Sequence, residues 1–216
     1  YRMASKQDKT ILFLLHLPPP VHGSAMVGKY IKESKLINGN FKCDYINLLA
    51  STNIHETGKV SFKKVINFVT IWFNLLAKLV GKKPQLCYVA LTTTGAAFYR
   101  DVFLIALLKL FRVPRVYHLH NKGVSTFQKN NFNRLLYQFV FKNADVILLA
   151  KHLSVDVNNF VSEETINICP NGITDILKTT KVKELGKEPV QMLFLSNRIA
   201  SKGVFVLLEA FQLLKQ

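Results

Sequence analysis

The sequence predicts an α/β protein with a Rossmann-like parallel sheet and helices on both faces. Short apolar runs with the length of buried strands, such as residues 10–15, 85–91 and 144–150, alternate with segments whose apolar residues recur at helical spacing. Polar loops rich in Pro, Gly or Thr follow these runs. Alternation of strand and helix favours parallel pairing, because a helix then carries the chain back to the start of the next strand.

The remaining elements follow the same pattern. Further strands are predicted at residues 41–48, 114–118 and 165–169, and helices at residues 24–36, 60–80, 96–112, 131–143 and 154–161. The Asn38-Gly39 pair is typical of a turn and predicts the end of the first helix. Asn67, Asn74 and Lys78 interrupt the long apolar segment 60–80, so it is not expected to span a membrane.

The composition predicts a folded protein with an anionic partner. The 216 residues are 49% hydrophobic, and 29 Lys and Arg against 13 Asp and Glu give a formal net charge of +16. An anionic substrate and an anionic membrane surface both fit; nucleic acid is not expected, because the basic residues are spread along the chain without a nucleic-acid motif. The three widely spaced cysteines indicate neither a disulfide framework nor a zinc site, which favours the cytoplasm.

The loop after the first strand, HLPPPVHGSA, is the first candidate for binding. Three consecutive prolines keep it extended, and Gly23 is expected to let it turn. Gly23, Gly28 and Lys29 also satisfy G-x-x-x-x-G-K, the phosphate-binding P-loop pattern. The match is rejected because Tyr30 lacks the small hydroxyl that binds Mg²⁺, and because the Pro-rich loop separates the strand from the first glycine.

Two histidines lie at the end of the strand that begins near residue 114. His118 and His120 are two residues apart, so on an extended backbone they share a face. The two histidines could be ligands of one metal ion or simply polar residues at the end of a strand, although no third metal ligand is evident. The preceding loop, Thr92-Thr93-Thr94-Gly95, supplies good helix caps at the carboxyl end of its own strand.

A strand, loop and helix are predicted close to the end of the chain. An apolar run at residues 192–195 precedes a polar loop that carries Arg198 and Lys202, and Val204, Leu207, Leu208 and Phe211 then recur at helical spacing. The start of a helix offers backbone N–H groups and a positive dipole end to an anion. Arg198 and Lys202 beside this helix start favour a diphosphate as the ligand.

This last stretch, LFLSNRIASKGVFVLLEAF, resembles the opening of the second domain of retaining glycosyltransferases of family four, with Asn197 in place of the usual Gly. The loop with His22-Gly23-Ser24, the strand ending in His120, and the strings ADVILLA and ICPNGI resemble the same family in the same order. The resemblance implies a GT-B arrangement: an acceptor-side domain over residues 1–176, a linker over 177–189, and the start of an incomplete nucleotide-sugar-binding domain over 190–216.

The resemblance also implies a reaction. A hexosyl unit passes from a UDP- or GDP-sugar to the hydroxyl of a glycan or lipid-linked acceptor with retention, as in polysaccharide synthesis. Arg198 and Lys202 would neutralise the diphosphate, His120 would orient the sugar or acceptor, and Gly23 and Ser24 would close on the phosphates. No cofactor and no metal are expected, since the chain holds no D-x-D. The 216 residues by themselves are expected to be catalytically inactive, because further residues that contact the donor would follow Gln216.

Two alternatives stay open. A sugar-nucleotide 2-epimerase of the same architecture would act on the donor without an acceptor. A non-catalytic module would instead bind a partner or the inner face of a membrane, with Phe68, Trp72 and Phe73 of the long apolar segment resting on the lipid. The expected location is the cytoplasm, either free or peripheral to that membrane.

Overall fold

The structure, a computed structural model, describes residues 9–49, 62–172, 193–196 and 202–214. The predicted loop 51–58, the predicted linker 177–189, and both Asn197 and Arg198 lie outside the described residues. The chain divides into two compact units, Tyr1–Gly172 and Ile173–Gln216.

The first unit is built on a six-stranded sheet in which every pair of neighbouring strands is parallel. The order across the sheet is β2-β1-β3-β4-β5-β6. The predicted α/β Rossmann-like fold is therefore confirmed, and the bounds of each strand predicted within this unit lie within two residues of the observed ones. The strands are β1 Thr10–Leu15, β2 Lys42–Asn47, β3 Leu86–Leu91, β4 Arg115–Leu119, β5 Asp145–Leu148 and β6 Ile166–Ile168.

Helices connect these strands and cover both faces of the sheet. They are α1 Gly23–Glu33, α2 Lys35–Asn40, α3 Phe62–Gly81, α4 Gly95–Leu110, α5 Val124–Phe127 and α6 Asn131–Phe141, with 3₁₀ helices at Lys151–Asp156 and Glu163–Thr165. None of the described helices has the length and apolar character needed to cross a bilayer.

Two helix predictions are wrong in detail. The single helix expected over residues 24–36 is broken at Ser34, whose hydroxyl accepts a hydrogen bond from the backbone N–H of Ile37 and starts α2. The Asn38-Gly39 pair consequently lies inside α2 and not in a turn. Residues 154–161, predicted as a helix, form the end of the first 3₁₀ helix and the turns that follow it.

The alternation of side chains along β1 separates two cores. Leu12 and Leu14 point into the larger core, which is covered by α3, α4 and α6. Phe13 and Leu15 point into the smaller core, which Ile31 of α1 and Ile37 of α2 help to cover. Packing in the two cores fixes the positions of the strand ends. It thereby positions the loops that leave the carboxyl ends of the strands.

In the second unit, the structure describes one helix, α7 Val204–Leu213, which follows Gly203 at a φ of 79°. This helix was predicted. The buried strand expected over residues 192–195 is wrong, because Leu193 and Leu195 are 84% and 89% exposed and lie outside any strand. An apolar run forms a buried strand only beside a partner strand, and the described residues of this unit include none.

Candidate functional site

The order of the strands creates a crevice at the carboxyl edge of the sheet. From β1 the chain turns through α1 and α2 to β2 on one side, whereas β3, the other neighbour of β1, leads through α4 to β4. The connections after β1 and β3 therefore diverge onto opposite faces of the sheet. Open parallel sheets bind ligands at such a switch point.

The loop after β1 ends in a helix start that is organised by histidine. His22 is the N-cap of α1, and its Nδ1 atom accepts a hydrogen bond of 3.4 Å from the backbone N–H of Ala25. The backbone N–H groups of Gly23 and Ser24, which open the first turn, have no hydrogen-bond partner among the described residues. The expectation that Gly23 makes the turn is wrong: it is already helical and its φ is not positive.

Ser24 joins two histidine rings. Its Oγ atom lies 3.1 Å from Nδ1 of His22 and 3.3 Å from Nδ1 of His16, the residue that follows β1. Because Nδ1 of His22 already accepts from a backbone N–H, we assign its proton to Nε2. The consistent assignment has His16 donating to the serine oxygen and the serine hydroxyl donating to His22.

Gly28, part of the rejected match to the P-loop pattern, has a packing role. A Cβ atom at this position would lie 2.0 Å from the backbone oxygen of His16. Gly28 therefore lets α1 pack directly on the chain as it leaves β1. Close helix packing therefore explains the second glycine of the phosphate-binding pattern, whereas nothing lies within 4 Å of a Cβ atom at the first, Gly23.

The two histidines of the β4 end lie side by side, as predicted. The ring centroids of His118 and His120 are 4.1 Å apart with an interplanar angle of 39°. The hydroxyl of Tyr88 contacts Nδ1 of His118, and Nε2 of that buried histidine has no hydrogen-bond partner among the described residues. The pair lines the end of the sheet face that carries α1.

Four histidines share this end of the molecule, and their pKa values reflect it. Burial lowers the pKa of His16 to about 3, with further lowering from Arg100, His22 and His120. Burial lowers the pKa of His118 to about 4, with a contribution from His120. Burial and the neighbouring His22 lower the pKa of His120 to about 4. These rings are neutral at pH 7 and act there as hydrogen-bonding groups and not as cations.

Arg100 and Asp101 of α4 brace the crevice from the other face, and neither was predicted. Arg100 donates to Oδ1 of Asp101 from two nitrogens, at 2.9 and 2.6 Å, and to the backbone oxygen of Leu48 at 2.7 Å. Asp101 also accepts from the backbone N–H of Thr92 at 3.0 Å. Burial raises the pKa of Asp101, and the charge of Arg100 opposes that rise. The signal that could have revealed this interaction was a single acidic residue, Asp101, within an apolar helical segment.

Further hydrogen bonds tie the loops after β3 and β4 together. Oδ1 of Asn121 accepts from the backbone N–H of Thr93 at 3.3 Å, and the hydroxyl of Thr93 donates to the backbone oxygen of Asn121 at 3.5 Å. Thr94 occupies the N-cap of α4 but makes no side-chain cap hydrogen bond. Asn121, which follows His120, thus holds its loop against the neighbouring one.

Asp156 fixes the far side of the β4 loop. Its carboxylate accepts from the backbone N–H groups of Gly123, Val124 and Ser125 and from the hydroxyl of Ser125, at 2.7 to 3.1 Å. An open cavity of about 190 Å³ lies beside it, lined by His120, Asn121, Lys122, Leu153 and Asp156 among others. The loop that carries His120 is therefore anchored and not free to collapse onto the sheet.

The predicted site residues fall into two groups. Gly23, Ser24 and His120 lie at the same edge of the sheet in the first unit. Lys202 is exposed in the turn before α7 of the second unit, and Arg198 lies outside the described residues. Within the part of the chain that the structure describes, no group of three or more His, Cys, Asp or Glu is arranged to hold a metal ion.

Comparisons of the sequence with protein-family models and with curated proteins returned no match. The chemistry of the residues at this edge is therefore the basis on which we assign a function.

Proposed function

We propose that the protein is a retaining glycosyltransferase that moves a hexosyl unit from a UDP- or GDP-sugar to an acceptor hydroxyl. The observation that carries the proposal is the pairing of two groups at one switch point. One is the first turn of α1, where the N–H groups of Gly23 and Ser24 are available to an anion. The other is the neutral imidazole of His120, whose pKa is lowered in part by His22 at the start of that helix.

The first turn of α1 suits a diphosphate. Helix starts present N–H donors and the positive end of the dipole to phosphate oxygens, and α1 has no acidic residue in its first turn. The nearby acids are already engaged, since Asp101 is bonded to Arg100 and Asp156 to the start of α5. Arg100 neutralises the charge of Asp101, and four hydrogen bonds occupy both oxygens of Asp156, so neither carboxylate is available as a general base at the sugar.

His120 suits a contact with the sugar. Its pKa of about 4 keeps the ring uncharged at pH 7, so it offers one donor and one acceptor. Such a ring recognises hydroxyl groups without adding positive charge beside an oxocarbenium-like centre. In the proposed reaction the departing diphosphate takes the proton of the acceptor hydroxyl, and the resemblance implies that Arg198 and Lys202 stabilise its charge.

The test is a titration of the chain with UDP, GDP and their hexose conjugates by calorimetry. One nucleotide-sugar is expected to bind saturably. The His120→Ala substitution should weaken that sugar conjugate about tenfold and leave the parent nucleotide unchanged, because His120 contacts only the sugar. The Arg198→Ala and Lys202→Ala substitutions should weaken both, because the resemblance implies that these side chains contact the diphosphate.

Exposed His152 provides the matched control, and His152→Ala should change neither affinity. Absence of saturable binding by every nucleotide-sugar would contradict the proposal, as would an equal effect of His120→Ala on the nucleotide and on its sugar conjugate. Conversion of the nucleotide-sugar to its epimer without an acceptor would indicate the epimerase in its place.

A further inference from the structure

Among the residues that the structure describes, an apolar stripe that no other element covers runs along the solvent side of α3. Its members recur three, four and seven residues apart and therefore lie on one helical face. The core-facing residues Ile71, Leu75 and Leu79 lie on a different face and are buried. The exposed members, which we call the α3 stripe, are Phe62, Val65, Ile66, Val69, Phe73 and Val80.

The next helix contributes an exposed aromatic side chain beside α3. Phe103 of α4 is 60% exposed, and its ring centroid lies 6.1 Å from that of Phe68 in α3. Phe73, also 60% exposed, packs edge-on against Trp72 with ring centroids 5.3 Å apart. Exposed aromatic and aliphatic side chains gathered on neighbouring helices in this way mark a docking surface. We call the α3 stripe together with Phe103 the α3–α4 patch.

The charges around the patch are almost all positive. Between Phe62 and Arg112 the sequence holds eight Lys and Arg and a single acid, Asp101, which is buried and bonded to Arg100. Lys82 and Lys83 are exposed just after α3. Lys78 is engaged by Asp44 of β2 at 3.0 Å. The surroundings of the patch therefore attract anions.

Charge complementarity decides between the partners that could cover this surface. A second copy of the chain would bring its own exposed Lys82 and Lys83 towards a surface of the same sign and would be repelled. An anionic bilayer offers an apolar interior for the aromatic and aliphatic side chains and negative headgroups for the lysines. We propose that the α3–α4 patch docks the protein flat on the surface of an anionic lipid bilayer.

The proposal is independent of the nucleotide-sugar site. The patch lies on the outer side of the helices that cover the larger core, whereas the histidine cluster, which is His16, His22, His118 and His120, lies at the carboxyl edge of the sheet. Loss of membrane binding and loss of nucleotide-sugar binding are therefore separate outcomes of separate measurements.

The experiment uses vesicles of phosphatidylcholine alone and vesicles with one third phosphatidylglycerol. The chain is expected to sediment with the anionic vesicles and not with the neutral ones. Trp72 is the single tryptophan, so its fluorescence reports on α3 directly. Brominated acyl chains in the anionic vesicles should quench it, because the patch enters the boundary between headgroups and acyl chains.

Two pairs of variants test which residues act. Phe73→Glu on the patch should abolish sedimentation, whereas Leu36→Glu, at an exposed position of α2 on the opposite face of the sheet, should leave it unchanged. The double change Lys82→Gln and Lys83→Gln should lower the partition coefficient about thirtyfold, at the usual contribution of a basic residue near anionic lipid. The matched pair Lys32→Gln and Lys35→Gln removes the same charge from the other face and should change it little.

Three results would overturn the proposal. One is the absence of sedimentation with anionic vesicles. Another is sedimentation that Phe73→Glu and Leu36→Glu lower equally, because the loss would then come from the added negative charge and not from the apolar patch. The third is a concentration-dependent dimer, without vesicle binding, that Phe73→Glu dissociates; the patch would then be an interface between copies of the chain.

Discussion

At the scale of single residues, Gly28 determines how closely α1 approaches the end of β1. The absence of a side chain lets the helix pack on the backbone oxygen of His16, with a virtual Cβ atom only 2.0 Å away. This contact places His22 and Ser24 beside His16 and brings their side chains within hydrogen-bond distance. A larger residue would have to push the helix start away from the site.

The first prediction follows from this contact. Gly28→Ala should lower the free energy of unfolding by about 1–3 kcal/mol, because the added methyl group meets backbone and not a flexible side chain. Gly39→Ala in α2 is the control, since nothing lies within 4 Å of a Cβ atom there and alanine favours the helix. Urea denaturation measures both, and equal stability of the two variants would contradict the packing argument.

Residue-scale prediction from the sequence succeeded where the strand pattern fixed a position and failed elsewhere. The shared face of His118 and His120 follows from their spacing on a strand. His16 was missed as a site residue, although it follows β1 as His120 follows β4. Its importance depends on the return of the chain through His22 and Ser24, which no local pattern encodes.

At the scale of elements, Asp156 links the end of a 3₁₀ helix to the start of α5. It gathers three backbone N–H groups and the hydroxyl of Ser125 and so secures the loop after β4. Burial acts to raise the pKa of this carboxyl, but the hydrogen bonds from Gly123, Ser125 and Val124 outweigh it, and the net pKa is lowered. The ionised form therefore stabilises the fold.

The second prediction concerns this link. Asp156→Asn should lower the free energy of unfolding at pH 7 by about 2–4 kcal/mol, because the charged acceptor of several hydrogen bonds is lost. The folded pKa lies below the ordinary carboxyl value, so the contribution is complete above that value and disappears as the pH falls through the folded pKa. The difference between the wild type and the variant should therefore shrink in acid.

Urea denaturation at a series of pH values measures this difference. Asp145→Asn is the control, because Asp145 is exposed on β5, and it should change stability little. A loss of stability for Asp156→Asn that is the same at every pH would mean that the carboxylate charge plays no part.

Strands and helices were predicted well where the spacing of the apolar residues distinguished one from the other. The six strands and the helices α3, α4 and α6 follow their predicted segments because burial between two layers leaves a strong pattern. The break between α1 and α2 was missed, because a serine hydroxyl that caps the second helix competes with an uninterrupted apolar pattern. The exposed run at residues 193–195 shows that apolar character without a neighbouring strand does not make one.

At the scale of the whole molecule, the histidine cluster couples the fold to pH. The pKa values of His16, His118 and His120 are lowered from 6.5 to about 3, 4 and 4. The unfolded chain therefore binds protons first as the pH falls below 6.5, and the folded state loses stability relative to it. The stability is complete above pH 6.5 and is lost towards pH 3–4.

The third prediction tests this coupling. The free energy of unfolding should fall between pH 6.5 and pH 4, by up to about 1.4 kcal/mol per pH unit for each buried histidine. His16→Gln should reduce the slope, whereas His152→Gln at an exposed position should leave it unchanged. Denaturation curves at half-unit steps of pH measure the slope, and a slope that His16→Gln does not alter would contradict the assignment.

The order of the strands was beyond the reach of the sequence. Alternation of strand and helix predicts parallel pairing, but the placement of β1 between β2 and β3 depends on long-range packing. That placement creates the switch point and explains why residues from the β1 and β4 loops meet at one edge. The part of the site contributed by Arg198 stays a prediction, because it lies outside the described residues.

The most direct test of the central claim is a nuclear magnetic resonance titration of the isotope-labelled chain with UDP-hexoses and GDP-hexoses. We expect one of them to shift the backbone amide signals of Gly23 and Ser24 and the ring signals of His120 together, with a single saturation curve. Saturable shifts confined to other residues, with these three unmoved, would contradict it.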